Sequence, residues 1–123
     1  MPDFNFLLLY VDDPAPSAAF YADLLGLEPI EMSPTFAMFA LPSGLMLGLW
    51  SCHTAEPAAT PVGGAEIGFQ LDDAAAVDAA YANWSEKSGA RVAQEPIDLD
   101  FGRTFVVLDP DGHRLRVFAP AAE

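Results

Sequence analysis

The chain has 123 residues, which is room for one domain of ordinary size, and its hydrophobic fraction of 52% indicates a well-filled interior. Eighteen acidic residues against five basic ones give a formal net charge of -13 at pH 7. A surface of this sign repels phosphate backbones and anionic membranes, so nucleic acid and lipid surfaces are excluded as expected partners.

Cysteine usage and the lack of a targeting pattern predict a cytoplasmic protein. Cys52 is the only cysteine, so no intrachain disulfide can form and a reducing compartment fits. The apolar stretch 6–11 is too short to span a bilayer and has no basic leader before it. We interpret Cys52 as a spectator thiol and the adjacent His53 as a solvated linker residue, so neither is expected to be catalytic.

The first part of the chain predicts a strand, a helix and three short strands. The helix should follow Asp12-Asp13, whose carboxylates suit a helix N-terminus, and it should stop at Gly26. Pro14 in its first turn has no backbone N–H to leave unbonded. The five elements are expected over residues 5–11, 14–25, 27–32, 35–41 and 45–50.

The second part predicts the same order of elements. A linker rich in Ala, Pro, Thr and Gly separates the two parts, over residues 51–64. We expect Ser88-Gly89 to close the second helix and Asp109-Pro110-Asp111-Gly112 to form a hairpin turn. The elements are expected over residues 65–71, 73–87, 90–97, 103–108 and 113–118.

The two parts are copies of one another. The segment 11–15 matches 71–75, and 19–23 matches 79–83, both at an offset of 60 positions. The turn 42–44 matches 110–112 at an offset of 68. We therefore predict one α+β domain over residues 1–123 made of two βαβββ repeats, repeat one over about 4–50 and repeat two over about 65–118. Their curved mixed sheets should enclose a concave cleft.

These motifs resemble the vicinal oxygen chelate superfamily, which includes glyoxalase I, ring-cleaving dioxygenases, and bleomycin and phenazine resistance proteins. The resemblance rests on the motifs Tyr10-Val11-Asp12-Asp13, Phe20-Tyr21, Leu24-Leu25-Gly26-Leu27 and Asp109-Pro110-Asp111-Gly112, and it covers nearly the whole chain. It implies the repeated fold, and it implies a homodimer in which a repeat pairs with the complementary repeat of a partner, as in a domain-swapped dimer.

The resemblance also implies where a metal would bind in the enzymes of the superfamily. Their four ligand positions correspond here to Phe6, Gly48, Glu66 and Arg116. Only Glu66 has a donor that suits a divalent metal, and a guanidinium at position 116 would repel a cation. We therefore expect no metal at these positions, no cofactor and no catalytic residue. A salt bridge between Glu66 and Arg116 should stand in place of the metal.

Strand alternation predicts which side chains accompany these positions on the concave faces. Met46 and Trp50 should share a face with Gly48, and Gly68 should share one with Glu66. Trp50 and Phe6 could present ring faces for stacking, although core packing is the simpler role for any single aromatic residue. Gly48 and Gly68 would leave room for a flat molecule. Taken together, this set favours a pocket for an aromatic ligand.

Within the superfamily the chain is most similar to phenazine antibiotic-resistance proteins. The similarity rests on the segments 101–105, 109–113 and 116–117, on Glu66-Ile67-Gly68 and on Trp50-Ser51. It implies a dimer that holds a planar, carboxylate-bearing drug between aromatic side chains, with Phe101 in the site and with Arg103 and Arg116 meeting the carboxylate.

We therefore expect a protein that binds and sequesters a planar aromatic small molecule without transforming it. The alternative is a metal-independent enzyme that uses Glu66 as a general base on a small aromatic or carbonyl substrate. A third possibility is an accessory module of a biosynthetic pathway. The sequence alone leaves the identity of the ligand open.

Overall fold

The structure is a computed structural model that describes residues 4–87 and 90–121. The chain divides into two compact units, Met1–Val62 and Gly63–Glu123, and the boundary falls inside the predicted linker. Within the described residues each unit contains one helix and one mixed four-stranded sheet. Neither helix has the length and apolar character needed to cross a bilayer.

The first unit follows the order strand, helix and three strands. Its sheet has the order β1-β4-β3-β2, with β1 parallel to β4 and the other pairs antiparallel. Its elements are β1 (Phe6–Val11), α1 (Pro14–Leu25), β2 (Glu31–Met32), β3 (Phe36–Ala40) and β4 (Met46–Ser51).

The second unit repeats this topology. Its sheet has the order β5-β8-β7-β6, again with one parallel pair, β5 with β8. Its elements are β5 (Glu66–Gln70), α2 (Ala74–Trp84), β6 (Arg91–Leu99), β7 (Gly102–Leu108) and β8 (Arg114–Pro120). The matching order of elements confirms the predicted pair of βαβββ repeats.

The local signals for helix ends act as predicted in α1. The side chain of Asp13 accepts a hydrogen bond from the backbone N–H of Ala15 at 3.1 Å, and Gly26 ends the helix with a φ of 67°. In α2 the carboxylate of Asp73 accepts from the N–H of Ala76 at 2.8 Å. That helix ends at Trp84, before the predicted residue 87, and the expected stop at 88–89 lies outside the described residues.

The strand predicted over residues 27–32 is wrong in length, because β2 pairs only through Glu31 and Met32. The backbone N–H of Leu27 bonds instead to the carbonyl of Ala22 at the end of α1, at 3.2 Å. Pro29 has no N–H to contribute to a ladder. The segment between α1 and β2 is therefore held by the helix end at Leu27, and it joins the sheet at Ile30, whose N–H donates to the carbonyl of Met38 at 2.7 Å.

Each helix covers one face of its own sheet, and the core of each unit lies between them. In the first unit the core packs Leu47 and Leu49 of β4 and Phe39 of β3 with Phe20 and Tyr21 of α1, all buried. In the second unit it includes Phe105, Val107, Leu115, Val117, Val77 and Trp84. The opposite face of each sheet has no helix of its own unit over it, and most of the predicted site residues lie on that face.

Candidate functional site

A three-residue ion cluster dominates the uncovered face of the second sheet, which we call the charged face. Arg116 donates from Nε to Oε1 of Glu66 at 2.9 Å and from Nη2 to Oε2 at 3.1 Å. This bidentate geometry matches the guanidinium fork to the carboxylate, and it is the strong form of such a pair. The salt bridge predicted between Glu66 and Arg116 is confirmed.

Polar side chains of β7 and β6 also bond to Arg116. Its Nη1 donates to the hydroxyl of Thr104 at 3.1 Å and lies 3.5 Å from Oε1 of Gln94. The Thr104 hydroxyl in turn donates to the carbonyl of Val117 at 2.8 Å. Thr104 is fully buried, so its hydroxyl is committed to these two bonds. The guanidinium of Arg116 is therefore held in one orientation.

Arg114 adds a second cation to the same carboxylate. Its Nη2 lies 2.8 Å from Oε2 of Glu66, and the two residues are register partners across the parallel pair β5–β8. The side chain of Arg114 is 53% exposed, whereas that of Arg116 is 18% exposed. Two guanidinium groups sharing one carboxylate give the cluster a net positive charge within a strongly acidic chain.

The electrostatics of Glu66 follow from these contacts. The hydrogen bond from Arg116 is the main reason that the pKa of Glu66 lies below its usual value, and the charges of Arg116 and Arg114 lower it further against the opposing effect of partial burial. A carboxylate with both oxygens bonded to cations is a weak proton acceptor. This arrangement argues against Glu66 as a general base.

Two phenylalanine rings border the ion cluster. The guanidinium carbon of Arg116 lies 5.9 Å from the ring centre of Phe101, within the range of a cation–π contact. Phe101 meets Phe118 edge to face at 6.2 Å and is 43% exposed. Gly68 is exposed, and a side chain there would meet only the ring of Phe118, at 3.5 Å. The charged face thus combines cations, exposed ring surface and open space.

The uncovered face of the first sheet, which we call the apolar face, has a different character. Its side chains come from three paired strands and carry almost no polar atoms. Trp50 lies half-buried, with its indole 6.4 Å from the ring of Tyr10. The face consists of Phe6, Leu8, Tyr10, Phe36, Met38, Ala40, Met46, Gly48 and Trp50.

The space predicted above Gly48 is already filled, which corrects the sequence-based expectation for this residue. A Cβ added at Gly48 would lie 2.6 Å from Leu8, 3.0 Å from Phe6 and 3.1 Å from Phe36. The glycine lets these side chains close over the strand, and Gly48 itself is buried. Of the two glycines expected to make room for a flat molecule, only Gly68 does so in its own unit.

Arg103 does not lie on the charged face, so its predicted convergence with Arg116 is wrong within this sheet. Its Nε donates to Asp78 of α2 at 3.0 Å and its Nη1 to Asp98 at 3.3 Å. The register of β7 with β8 pairs Arg103 with Ala119, whereas Arg116 pairs with Val106. Residues 103 and 106 point to opposite faces of one strand. Arg103 thus sits on the helix-covered side.

The family's metal positions offer no set of donors that fits a metal. In the first unit, Phe6 and Gly48 have no donor atom in their side chains. In the second unit, Glu66 is bonded to two guanidinium groups, and Arg116 carries the wrong charge.

Several contacts of the site were not anticipated from the sequence. Arg114 lies two residues before Arg116 and so shares its face of β8, but its bond to Glu66 depends on the register of β5 with β8. The contribution of Thr104 has a weak sequence signal, a lone hydroxyl that precedes the apolar run 105–108 of the same strand. The approach of Gln94 follows an irregularity in the pairing of β6 with β7, which no local pattern predicts.

Comparisons with known proteins find similarity to one superfamily. The family model for the Glyoxalase/Bleomycin resistance protein/Dioxygenase superfamily matches residues 3–117. The phenazine antibiotic resistance protein EhpR of Enterobacter agglomerans is 33% identical over 115 residues, covering 92% of this chain and 88% of that protein.

Solved structures give the same picture of the fold. A protein of Agrobacterium tumefaciens, determined in solution by NMR, is 48% identical with a TM-score of 0.88, over 99% of this chain and 100% of that one. A glyoxalase/bleomycin resistance protein/dioxygenase from Nocardioides is 25% identical with a TM-score of 0.82, over 98% and 85%. A glyoxalase-related enzyme from Fulvimarina pelagi has a TM-score of 0.84 over 97% and 88%, and at 18% identity it bears on the fold alone.

Proposed function

This chain belongs to the Glyoxalase/Bleomycin resistance protein/Dioxygenase superfamily, and we propose that it binds and sequesters a planar aromatic molecule bearing an anionic group, without transforming it. The observation that carries the proposal is the cluster of Arg114, Arg116 and Glu66 beside the exposed ring of Phe101. A net positive spot next to ring surface suits an aromatic acid.

The anionic group of the ligand is assigned mainly to Arg114. A guanidinium has five N–H donors, and Arg116 uses its donors on Glu66, Thr104 and Gln94. Arg114 makes one contact with Glu66 and exposes half of its side chain. Arg114 therefore has donors to offer an incoming carboxylate, while Arg116 supplies charge and a fixed position for the shared Glu66.

The aromatic part of the ligand is assigned to ring surfaces on the described faces. In the second unit, Phe101 offers ring surface and Gly68 leaves the neighbouring strand open. The first unit has a ring surface of its own, and there Trp50, flanked by Tyr10, is the proposed aromatic contact. Stacking of this kind contributes about 0.5–1.5 kcal/mol beyond the burial of area. The similarity to a phenazine antibiotic resistance protein supports a ligand of this class.

The competing function is a metal-independent enzyme with Glu66 as its base. The lowered pKa of Glu66 and the two arginines bonded to it favour a structural and electrostatic role for this residue instead. Incubation of the protein with a bound aromatic acid, followed by mass spectrometry, separates the two functions. We expect the ligand to be recovered unchanged, and a product formed in proportion to enzyme and time would overturn sequestration.

Binding is tested with phenazine and quinoline carboxylic acids and with their methyl esters. Arg114→Ala should weaken binding of the acids by about 1.5–3 kcal/mol, roughly tenfold or more, and should leave the esters little affected, because only the acid offers a charged acceptor. Arg116→Ala should also weaken the acids, since it releases Glu66. Arg103→Ala is the matched control: it removes a guanidinium bonded on the helix-covered face and should not alter affinity.

Tryptophan fluorescence provides the readout. A ring stacked on Trp50 should quench its emission, while Trp84, which is 8% exposed and packed against Phe69 and Phe105, supplies a constant background. Trp50→Ala should abolish the quenching and weaken binding by roughly 1–3 kcal/mol. If the panel of acids changes neither fluorescence nor melting temperature, the aromatic-ligand proposal fails. If the arginine substitutions weaken binding of acid and ester equally, the arginines do not bind the carboxylate of the ligand.

A further inference from the structure

Three side chains with metal-binding donors meet at the carboxyl ends of β1 and β4. The donor atoms of Asp12, Cys52 and His53 all lie within 4.8 Å of one another. Nε2 of His53 is 2.7 Å from Oδ1 of Asp12. The group lies wholly within the first unit and apart from the positions that bind metal in the family's enzymes.

The backbone holds these residues together. β1 and β4 are parallel neighbours whose last partners are Val11 and Ser51, so the residues that follow each strand emerge side by side. The N–H of Cys52 donates to the carbonyl of Val11 at 2.8 Å, which extends the ladder by one residue. The N–H of His53 donates to Oγ of Ser51 at 3.2 Å, which fixes the turn. The proximity therefore follows from the sheet.

We propose that Asp12, Cys52 and His53 bind a zinc ion, with the fourth position left to water. Thiolate, imidazole and carboxylate are the three donor types that zinc takes in proteins, at about 2.3, 2.0–2.1 and 2.0–2.2 Å. Such bond lengths put tetrahedral donor atoms about 3.4–3.6 Å apart. The hydrogen bond between His53 and Asp12 must open by about 0.7 Å, which is a small rotation for side chains that are 67% and 79% exposed.

The second unit shows that the fold does not require this group. At the repeat offsets, Asp72 corresponds to Asp12, but Pro120 and Ala121 correspond to Cys52 and His53. The same sheet edge thus carries an aspartate without its two partners. A surface ion pair would account for Asp12 and His53 alone, whereas a metal site also accounts for the thiol beside them.

The test is a titration of the reduced full-length chain, free of metal-binding tags, with cobalt(II) as a spectroscopic stand-in for zinc. We expect one cobalt per chain and a near-ultraviolet thiolate-to-cobalt band that stoichiometric zinc removes. Cys52→Ser should abolish the band. His53→Gln and Asp12→Asn should each weaken cobalt binding by at least about tenfold, since loss of even an outer partner costs about 10–100-fold.

Two variants in the second unit serve as controls. Asp72→Asn removes the corresponding aspartate, and Glu66→Gln removes the carboxylate at a position that binds metal in the family's enzymes. Neither variant should change the thiolate-to-cobalt band or the affinity for cobalt. Absence of a saturable thiolate band in the native chain, or equal weakening by either control, overturns the zinc site. The outcome is independent of the aromatic-ligand proposal, which rests on other residues and another readout.

Discussion

At the scale of single residues, an arginine at a position that holds a metal ligand in the family's enzymes changes what the site can do. Arg116 neutralises Glu66, is fixed by Thr104, and leaves Arg114 exposed on the same carboxylate. The charge that a metal would have supplied now comes from two side chains. These side chains can hold an anion, but they cannot polarise a substrate oxygen as a metal does.

The lowered pKa of Glu66 predicts a pH-dependent contribution to stability. Because the pKa is lower in the folded state than in the unfolded state, the carboxylate stabilises the fold fully above about pH 4.5, the ordinary pKa of a glutamate. That contribution is lost as the pH falls through the folded value. The difference in unfolding free energy between the native chain and Glu66→Gln should therefore be largest near neutral pH and shrink below about pH 4.

Urea unfolding of both proteins between pH 7 and pH 3 measures this difference. Glu95→Gln, a change at an exposed glutamate of β6, controls for the loss of any one negative charge. A Glu66→Gln difference that stays constant across the range would show that the ion cluster does not stabilise the folded state.

At the scale of elements, β7 begins at Gly102, where a Cβ would lie closer to the backbone of a neighbouring strand than at any other glycine of the described residues. Gly102 has a φ of 142°, and a Cβ there would lie 1.9 Å from the carbonyl oxygen of Ala119 in β8. Because that oxygen is backbone, the clash can be relieved only by separating the two strands. The β7–β8 pairing carries both Thr104 and Arg116, so this contact also positions the charged face.

The loss of stability on replacing a glycine by alanine should therefore depend on which atoms the new Cβ meets. Gly102→Ala should destabilise the protein by at least about 2 kcal/mol, because of backbone strain and clash. Gly48→Ala should cost less, since the neighbours are side-chain ends that can move. Gly68→Ala should change stability by no more than about 0.5 kcal/mol. Chemical denaturation measures all three, and a Gly68→Ala loss as large as that of Gly102→Ala would contradict the ranking.

At the scale of the whole molecule, we predict a homodimer. The first unit leaves large apolar side chains exposed, among them Phe4 at 78%, Ile30 at 57% and Met32 at 48%. Exposed apolar surface of this kind marks interaction sites, and obligate interfaces are large and apolar. Light scattering at micromolar concentration should give twice the mass of the chain, 13.1 kDa. A monomer across that range would contradict the prediction.

The sequence by itself determined the features that depend on neighbouring residues. Asp13, Pro14 and Gly26 define both ends of α1, because caps act within one turn of the helix. The repeat fixed the order of elements in both units. The offsets of the repeat pair Glu66 with Phe6 and Arg116 with Gly48. Since the positions of Glu66 and Arg116 share one metal in the family's enzymes, the sequence predicted that these two residues are in contact.

Only the tertiary structure decided what depends on strand register and on packing between strands. Register put Arg103 on the helix-covered face and Arg114 on Glu66, and a shift of one residue would have exchanged the faces. Packing filled the space over Gly48 with side chains from two neighbouring strands. The parallel pairing of β1 with β4 brought Asp12 to Cys52 across 40 residues of chain, a distance that no local pattern spans.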